Sequence, residues 1–230
     1  MRKHAGIIKE LRLDTGLHPV AWIECQQPTF LPRPGQYLMG WAASDAEAPL
    51  AVPLFPAKLE DSGFLSATPV PAAWEPGTRL ELSGPFGRGF DLPISTRRLA
   101  LGALWDSAGH LLPLIDKALE RQLAVTLYAD CRLPSLPSAV EIYPLAALPE
   151  ALIWADLLAV DLDRSMLPEL RRKLGIETGS GLPCPIQALI RTPLPCAGIS
   201  ECGACAVPGH KRWKLACTHG PVFDLRELEW

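Results

Sequence analysis

Four cysteines near the end of the 230-residue chain have the type and spacing of metal ligands. They are Cys196, Cys202, Cys205 and Cys217, in the pattern Cys-x5-Cys-x2-Cys-x11-Cys. Plant-type [2Fe–2S] loops have a similar spacing, Cys-x4-Cys-x2-Cys followed by a distant fourth cysteine, so the first gap here is one residue longer. A small iron–sulfur rhomb needs a chain that coils tightly around it, and glycine and alanine between the cysteines let backbone amides approach the sulfurs. The pattern therefore predicts a [2Fe–2S] cluster held by these four thiolates.

The same cysteines have other possible uses. A structural zinc site usually combines two ligand pairs on separate knuckles, and only one Cys-x2-Cys pair is present, although His210 or His219 could complete a zinc set. Disulfides are rare in reducing compartments, and free structural thiols seldom cluster in this way. The iron–sulfur interpretation is favoured over these alternatives. The three isolated cysteines are interpreted as buried apolar side chains: Cys25, Cys131 and Cys184.

The N-terminal part of the chain has the pattern of short β-strands. Apolar and polar residues roughly alternate, and glycine or proline turns separate the runs 7–13, 21–25, 36–41 and 79–83. Several short strands at this spacing predict a small antiparallel β-barrel over residues 1–96.

The pattern changes after residue 96. Apolar strands alternate with segments of helical periodicity, which predicts a parallel α/β layer over residues 97–180. Residues 178–181 are interpreted as a linker to a cluster-binding tail over residues 181–230. The predicted fold is thus α+β in several parts. The predicted strands of the second part are 98–102, 124–128 and 157–160, and its helices are 111–121 and 164–174.

Composition excludes several classes of function. The formal net charge is −3 with no basic stripe, so nucleic-acid binding has no electrostatic support. No run of 18 apolar residues is present, which argues against a membrane span. Charges flank a very short apolar stretch in the first ten residues, so we expect no secretory signal and a cytoplasmic location. His4, His18 and His110 are scattered along the sequence, and no catalytic residue is predicted.

Four segments carry a resemblance to a known family. With its cysteine pattern, the chain resembles the electron-transfer (iron–sulfur) subunit of dihydroorotate dehydrogenase, within the ferredoxin reductase superfamily. The similar segments are Pro34-Gly35-Gln36-Tyr37-Leu38-Met39, Gly84-Pro85-Phe86-Gly87-Arg88-Gly89-Phe90, the cluster loop 197–205, and Cys217-Thr218-His219-Gly220-Pro221-Val222-Phe223.

The resemblance implies specific roles for the three parts. In the family the barrel binds FAD, the α/β layer receives NAD, and the cluster relays electrons to a separate flavin-bearing catalytic subunit of pyrimidine biosynthesis. A flavin-containing dehydrogenase subunit is therefore the expected partner in a hetero-oligomer. The residues that the resemblance assigns to FAD are Pro53, Gly77, Thr78, Gly84 and Gly87.

Two nucleotide motifs of the family are degenerate here. The flavin motif, of the RPxS kind, corresponds to residues 51–55, which offer neither arginine nor hydroxyl. The glycine-rich loop for NAD is replaced by Leu104, Trp105 and Asp106, which bring bulk and negative charge to a phosphate site. The Cys-Gly-Pro nicotinamide motif is replaced by residues 160–163. We expect no NAD binding, and FAD binding is doubtful.

Three functions remain open from the sequence. The favoured one is an electron relay that carries the cluster and has no NAD-dependent activity of its own. The alternatives are a complete FAD- and NAD-dependent reductase and a non-redox scaffold with a structural metal site. A basic hairpin over residues 210–214 and exposed apolar residues in the tail 221–230 are expected to contact the partner.

Overall fold

The computed structural model describes residues 3–27, 30–42, 50–177, 181–200 and 202–230. Three residues of the predicted linker 178–181 lie outside the described residues, as does Glu201 of the predicted cluster loop.

The first sheet has seven antiparallel strands and occupies the N-terminal part of the chain. Its order is β4-β3-β7-β1-β2-β6-β5. Alternating residues point into one apolar core, in which Ile8, Ile23, Leu38, Phe64 and Trp74 are almost fully buried. The strands are β1 (Lys3–Leu13), β2 (Pro19–Cys25), β3 (Tyr37–Trp41), β4 (Val52–Leu54), β5 (Pro56–Glu60), β6 (Gly63–Ser66) and β7 (Arg79–Phe86).

Hydrogen bonds do not close this sheet into the predicted barrel. Its two edges, β4 and β5, have no ladder between them in the part of the chain that the structure describes. The edges are nevertheless consecutive in sequence, separated only by Phe55. The backbone passes directly from one edge strand to the other at Phe55, so the sheet is strongly curved but open.

The second sheet has six strands in the order β10-β9-β8-β11-β12-β15. Five strands are parallel, and the last pairs antiparallel with β12. The strands are β8 (Arg98–Ala103), β9 (Ala124–Ala129), β10 (Val140–Tyr143), β11 (Leu157–Asp163), β12 (Ile186–Arg191) and β15 (Val222–Asp224). The helices are α1 (Leu112–Glu120), α2 (Leu148–Trp154) and α3 (Leu167–Lys173).

Several details of this layer differ from the expectation. Strand β10 and helix α2 were not predicted, because both are short and lack a clear period. The predicted helix 164–174 begins as a 3-10 turn, Arg164–Met166, which Asp163 caps by accepting from the backbone N–H of Ser165. Strands β12 and β15 continue the sheet into the range predicted as the tail.

The tail holds a small hairpin and one short helix. Strands β13 (Ala206–Val207) and β14 (Lys214–Leu215) pair antiparallel, and α4 (Ala216–His219) follows directly. The backbone N–H of Ile190 donates to the carbonyl of Pro221 at 2.9 Å, which fixes the end of this region to the second sheet. The order of strands also creates a switch point, because the chain leaves β8 for β9 on one side and later places β11 on the other. Such switch points, at the carboxyl ends of parallel strands, are common ligand sites.

Candidate metal centre

The four candidate ligands lie in two close pairs. The Sγ atoms of Cys196 and Cys202 are 3.7 Å apart, and those of Cys205 and Cys217 are 3.2 Å apart. Cys205 and Cys217 are buried, Cys196 is half-buried and Cys202 is exposed. One pair thus faces the protein interior and the other lies toward solvent.

A glycine brings the two pairs into one region. Gly198 has a φ of +82°, and a Cβ built on it would lie 2.9 Å from Cγ2 of Thr218 and 3.9 Å from Sγ of Cys217. The loop that carries Cys196 and Cys202 therefore packs directly on the helix that carries Cys217. A larger residue at position 198 would be strained and would push the two apart.

The cysteines are not assembled as one ligand sphere. Within the described ranges, no group of three or more Cys, His, Asp or Glu side chains is placed to hold a metal ion. The candidate zinc ligands His210 and His219 do not complete a metal site among the described residues either. His210 is exposed, and Nδ1 of His219 accepts a hydrogen bond from the backbone N–H of Leu215 at 3.1 Å. The residues present fit an iron–sulfur cluster better, because the donors are all sulfur and a glycine cradle joins the pairs.

Cys196 and Cys217, one from each pair, differ in the pKa of their thiols. Hydrogen bonds with Ser200, and more weakly with Gly198 and Cys202, lower the pKa of Cys196 to about 6. Burial, followed by the neighbouring Cys205, raises the pKa of Cys217 to about 12. Cys196 therefore loses its proton more readily than an ordinary thiol, and Cys217 must lose its proton when a metal binds.

A buried tyrosine forms part of the wall behind the inner pair. Tyr37 is fully buried, and its hydroxyl has no hydrogen-bond partner among the described residues. Burial, and then the negative charges of Cys217, Cys205 and Cys196, raise the pKa of this phenol. Tyr37 of the first sheet therefore belongs to the same apolar core as Cys205 and Cys217.

Arg164 holds the loop around Cys205. Its Nη1 donates to the carbonyl oxygens of Ala204 at 3.1 Å and Ala206 at 2.9 Å, which flank the cysteine on both sides. The arginine lies in the turn after β11, so it ties the cluster loop to the second sheet.

We expect Arg164→Met to loosen this loop without changing the ligands. Loss of two hydrogen bonds from a charged donor should lower the free energy of unfolding by about 1–3 kcal/mol. It should also speed the loss of iron to a chelator. Urea unfolding and chelator kinetics measure both, with Arg172→Met as control because Arg172 makes only an exposed ion pair with Glu169. Equal behaviour of the two variants would contradict the role of Arg164.

The end of the tail is packed inside rather than exposed. Phe223, Leu225 and Leu228 are almost fully buried, which contradicts the expectation of an exposed apolar tail. Trp230 is partly buried: its Nε1 donates to the carbonyl of Leu225 at 2.9 Å and the guanidinium of Arg171 lies 4.5 Å from its ring centroid. Removal of residues 224–230 would therefore damage the core, and contacts with a partner must be sought elsewhere.

Of the five residues assigned to FAD by resemblance, only one lines a cavity between the two sheets. Pro53 lines this cavity. Gly87 lies instead next to the cluster segment, where a Cβ built on it would be 2.7 Å from the carbonyl oxygen of Gly220. Thr78 accepts from the backbone N–H of Glu75 in a turn. Gly77 and Gly84 do not line that cavity either.

The cavity does not fit the diphosphate of FAD. The carboxylates of Asp14 and Asp106 line it, and its arginine, Arg191, is paired with the buried Asp161. A diphosphate needs cationic or amide donors, and a cation already neutralised by a carboxylate is a poor one.

The structure reveals one polar cluster that the sequence interpretation missed. His110 and Asp161 are 3.0 Å apart (Nδ1 to Oδ2), and Arg191 donates to both oxygens of the same carboxylate. His110 was interpreted as scattered and Asp161 as the remnant of a lost motif, so both interpretations are corrected. A usable signal was that all three lie near or beyond the carboxyl ends of the parallel strands β8, β11 and β12, which meet at one edge.

Comparison with known proteins supports the iron–sulfur interpretation. Residues 197–229 match the family described as the iron–sulfur cluster binding domain of dihydroorotate dehydrogenase B. This range contains Cys202, Cys205 and Cys217, and Cys196 directly precedes it. The electron transfer subunit of dihydroorotate dehydrogenase B (NAD(+)) from Desulforamulus reducens is 25% identical over 181 residues, covering 68% of each chain.

Solved structures show the fold. An NADH-dependent reduced ferredoxin–NADP oxidoreductase, studied for flavin-based electron bifurcation, superposes with a TM-score of 0.71 and 17% identity, covering 98% of this chain and 90% of that one. The ferredoxin reductase of carbazole 1,9a-dioxygenase has a TM-score of 0.60 and 16% identity, covering 81% and 68%. The ferredoxin-reductase-like fold is thereby confirmed. None of the helices that the structure describes is long and apolar enough to cross a membrane.

Proposed function

We propose that this chain, which resembles the electron-transfer subunits of dihydroorotate dehydrogenase, holds a [2Fe–2S] cluster and relays electrons to or from a partner flavin dehydrogenase. The ligands are Cys196, Cys202, Cys205 and Cys217. The observation that carries the proposal is their arrangement as two sulfur pairs, with three of the four cysteines inside the segment that matches an iron–sulfur domain and Cys196 directly before it. Residues 1–96, 97–180 and 181–230 then serve as flavin-domain-like, NAD-domain-like and cluster-binding parts of a cytoplasmic complex.

Different residues of the chain have different roles around the four sulfur atoms. When bound, such a cluster supplies a one-electron redox centre. The buried Cys205 and Cys217 anchor it against the protein, and the wall formed by Tyr37 excludes water from that side. Hydrogen bonds of the Ser200 side chain, and then of the Ser200 and Gly198 backbone, favour the thiolate form of Cys196. The exposed pair lies at the surface, where a partner can approach within the short distance that electron transfer needs.

The proposed docking surface combines Ile199, in the loop between Cys196 and Cys202, with the hairpin residues 211–213. Ile199 and Trp213 are large apolar side chains that are 73% and 67% exposed. Lys211 and Arg212 on the same hairpin as Trp213 are exposed cations. An acidic surface with an apolar centre is therefore the complementary partner surface.

Co-purification from the source cells tests the relay and its docking surface. The captured protein should contain flavin, and the chain reduced by dithionite should lose its electrons to it. Lys211→Glu with Arg212→Glu should slow this transfer, most strongly at low salt. The matched control is Lys117→Glu with Arg132→Glu, two exposed cations elsewhere on the protein. A captured partner without flavin, or equal rates in both double variants, would contradict the proposal.

We expect no measurable NADH oxidation by the isolated chain, even with ferricyanide as acceptor. Leu104 fills the position of a loop glycine, and Trp105 and Asp106 bring bulk and negative charge to the place of the diphosphate. Loss of NADH absorbance over time measures turnover, and calorimetry measures binding. Tight NADH binding would favour the complete reductase instead.

A further inference from the structure

A short segment joins the helix of Cys217 to the last strand of the second sheet. Cys217 lies in α4 (Ala216–His219), and β15 begins at Val222. Residues 220–222, which we call the junction segment, follow the cysteine after only Thr218 and His219. A shift of this segment therefore moves the thiol of Cys217 as well.

The second sheet holds the junction segment from one side. The backbone N–H of Ile190 donates to the carbonyl oxygen of Pro221 at 2.9 Å. Val222 pairs with Leu189 in the antiparallel ladder between β15 and β12. These contacts fix the backbone of the segment relative to the parallel strands.

A turn of the first sheet holds the junction segment from the other side. The backbone N–H of Arg88 donates to the carbonyl oxygen of Gly220, and Arg88 also forms an isolated parallel bridge with Pro221. Gly87 has a φ of +75°, and a Cβ built on it would lie 2.6 Å from Cδ of Pro221 and 2.7 Å from the carbonyl oxygen of Gly220. The two backbones thus approach so closely that position 87 requires glycine.

A second turn of the first sheet makes a similar close contact. Gly35 has a φ of +83°, and a Cβ built on it would lie 2.6 Å from Cγ2 of Val222. The side-chain amide of Gln36 donates to the carbonyl oxygen of Gly87 at 2.9 Å, which joins the two turns. The junction segment is therefore enclosed between two glycine turns of one sheet and a strand of the other.

We propose that Gly35 and Gly87 are positioning residues for the cluster. By allowing the two turns to press the junction segment against the second sheet, they hold Sγ of Cys217 where the fourth ligand is needed. Contacts behind a ligand commonly orient it and tune the metal centre. This inference rests on the proposed function, and it gives Gly87 a role toward the cluster in place of the flavin role that the resemblance implies.

Gly87→Ala is the direct test, with Gly175→Ala as the matched control. Gly175 also has a positive φ, +64°, but a Cβ built on it meets only ordinary contacts, the nearest at 3.6 Å from Cβ of Pro149. Both variants carry backbone strain, and only Gly87→Ala pushes on the junction segment. We expect Gly87→Ala to release iron to a chelator at least about tenfold faster than wild type, and Gly175→Ala to stay within about twofold.

Two further readouts separate positioning from a general loss of stability. The electron paramagnetic resonance spectrum of the dithionite-reduced protein should change in Gly87→Ala and not in Gly175→Ala. In the iron-free chain, N-ethylmaleimide should label Cys217 faster in Gly87→Ala than in wild type, while the labelling of Cys184, which is also buried, stays unchanged. Mass spectrometry assigns the labelled cysteine.

Gly35→Ala provides an independent variant with a built-in rescue. It should also speed iron release, and adding Val222→Ala, which removes the methyl group nearest to the new Cβ, should restore part of the retention. Circular dichroism checks that each variant is folded. If Gly87→Ala does not fold, Gly35→Ala with and without Val222→Ala is compared with Gly175→Ala in the same way.

Equal iron release and equal spectra in Gly87→Ala and Gly175→Ala would overturn the proposal, as would unchanged labelling of Cys217. Absence of rescue by Val222→Ala would remove the role of Gly35. A wild-type chain that holds no iron would instead contradict the proposed relay, and the labelling, which needs no cluster, would still decide whether the glycine turns position Cys217.

Discussion

Replacing Cys205 with serine is expected to abolish cluster binding. Its thiol is buried and lies 3.2 Å from that of Cys217, so it belongs to the inner anchor of the proposed site. A serine hydroxyl is a harder and far less acidic ligand than a thiol, and iron–sulfur clusters select soft thiolates. Iron and sulfide contents of the anaerobically purified variant should fall to near zero, and Cys202→Ser should behave in the same way.

Cys25→Ser is the matched control for these variants. Cys25 is also buried, but it lies in the core of the first sheet, where burial raises the pKa of its thiol to about 11. This change should leave iron content and absorbance unaltered. Full iron content in Cys205→Ser would show that the ligand assignment is wrong.

The second large effect is expected for Asp161→Ala. The change leaves the charge of Arg191 and the ring of His110 without their common acceptor in a buried site. Breaking a buried ion pair in this way typically costs about 3–5 kcal/mol of unfolding free energy. Urea unfolding at pH 7 measures the loss, and Asp116→Ala, an exposed carboxylate on α1, should change stability by less than about 0.5 kcal/mol.

The dependence on pH gives an independent check of the same residue. The folded protein lowers the pKa of Asp161, so its stabilisation is present above the unfolded value of about 3.9 and is lost as the pH falls through the lower folded value. The difference between wild type and Asp161→Ala should thus narrow as the pH falls below about 4. A difference that is unchanged at pH 3 would argue against an ionised Asp161.

The features that could be predicted from the sequence are those that depend on residues close together along the chain. The Cys-x2-Cys pair, the alternation of β1 and the apolar run of β11 depend on neighbours in sequence, and periodicity detects them. The family resemblance likewise rests on contiguous segments, such as residues 197–205.

The parts that could not be predicted depend on distant residues. His110, Asp161 and Arg191 are separated by 51 and 30 positions, and only the strand order brings them together. The grouping of Cys196 with Cys202, and of Cys205 with Cys217, also depends on loop conformation, which includes a positive φ at Ala197. The burial of Leu225 and Leu228 follows from the strand β15 that precedes them, which the sequence pattern did not reveal.

The measurement that tests the central claim most directly is the iron and acid-labile sulfide content of the anaerobically purified chain, combined with its absorbance before and after dithionite. The proposed relay predicts two irons and two sulfides per chain and broad visible bands that bleach upon uptake of one electron. A colourless protein that contains zinc, or a visible spectrum due only to flavin, would contradict it.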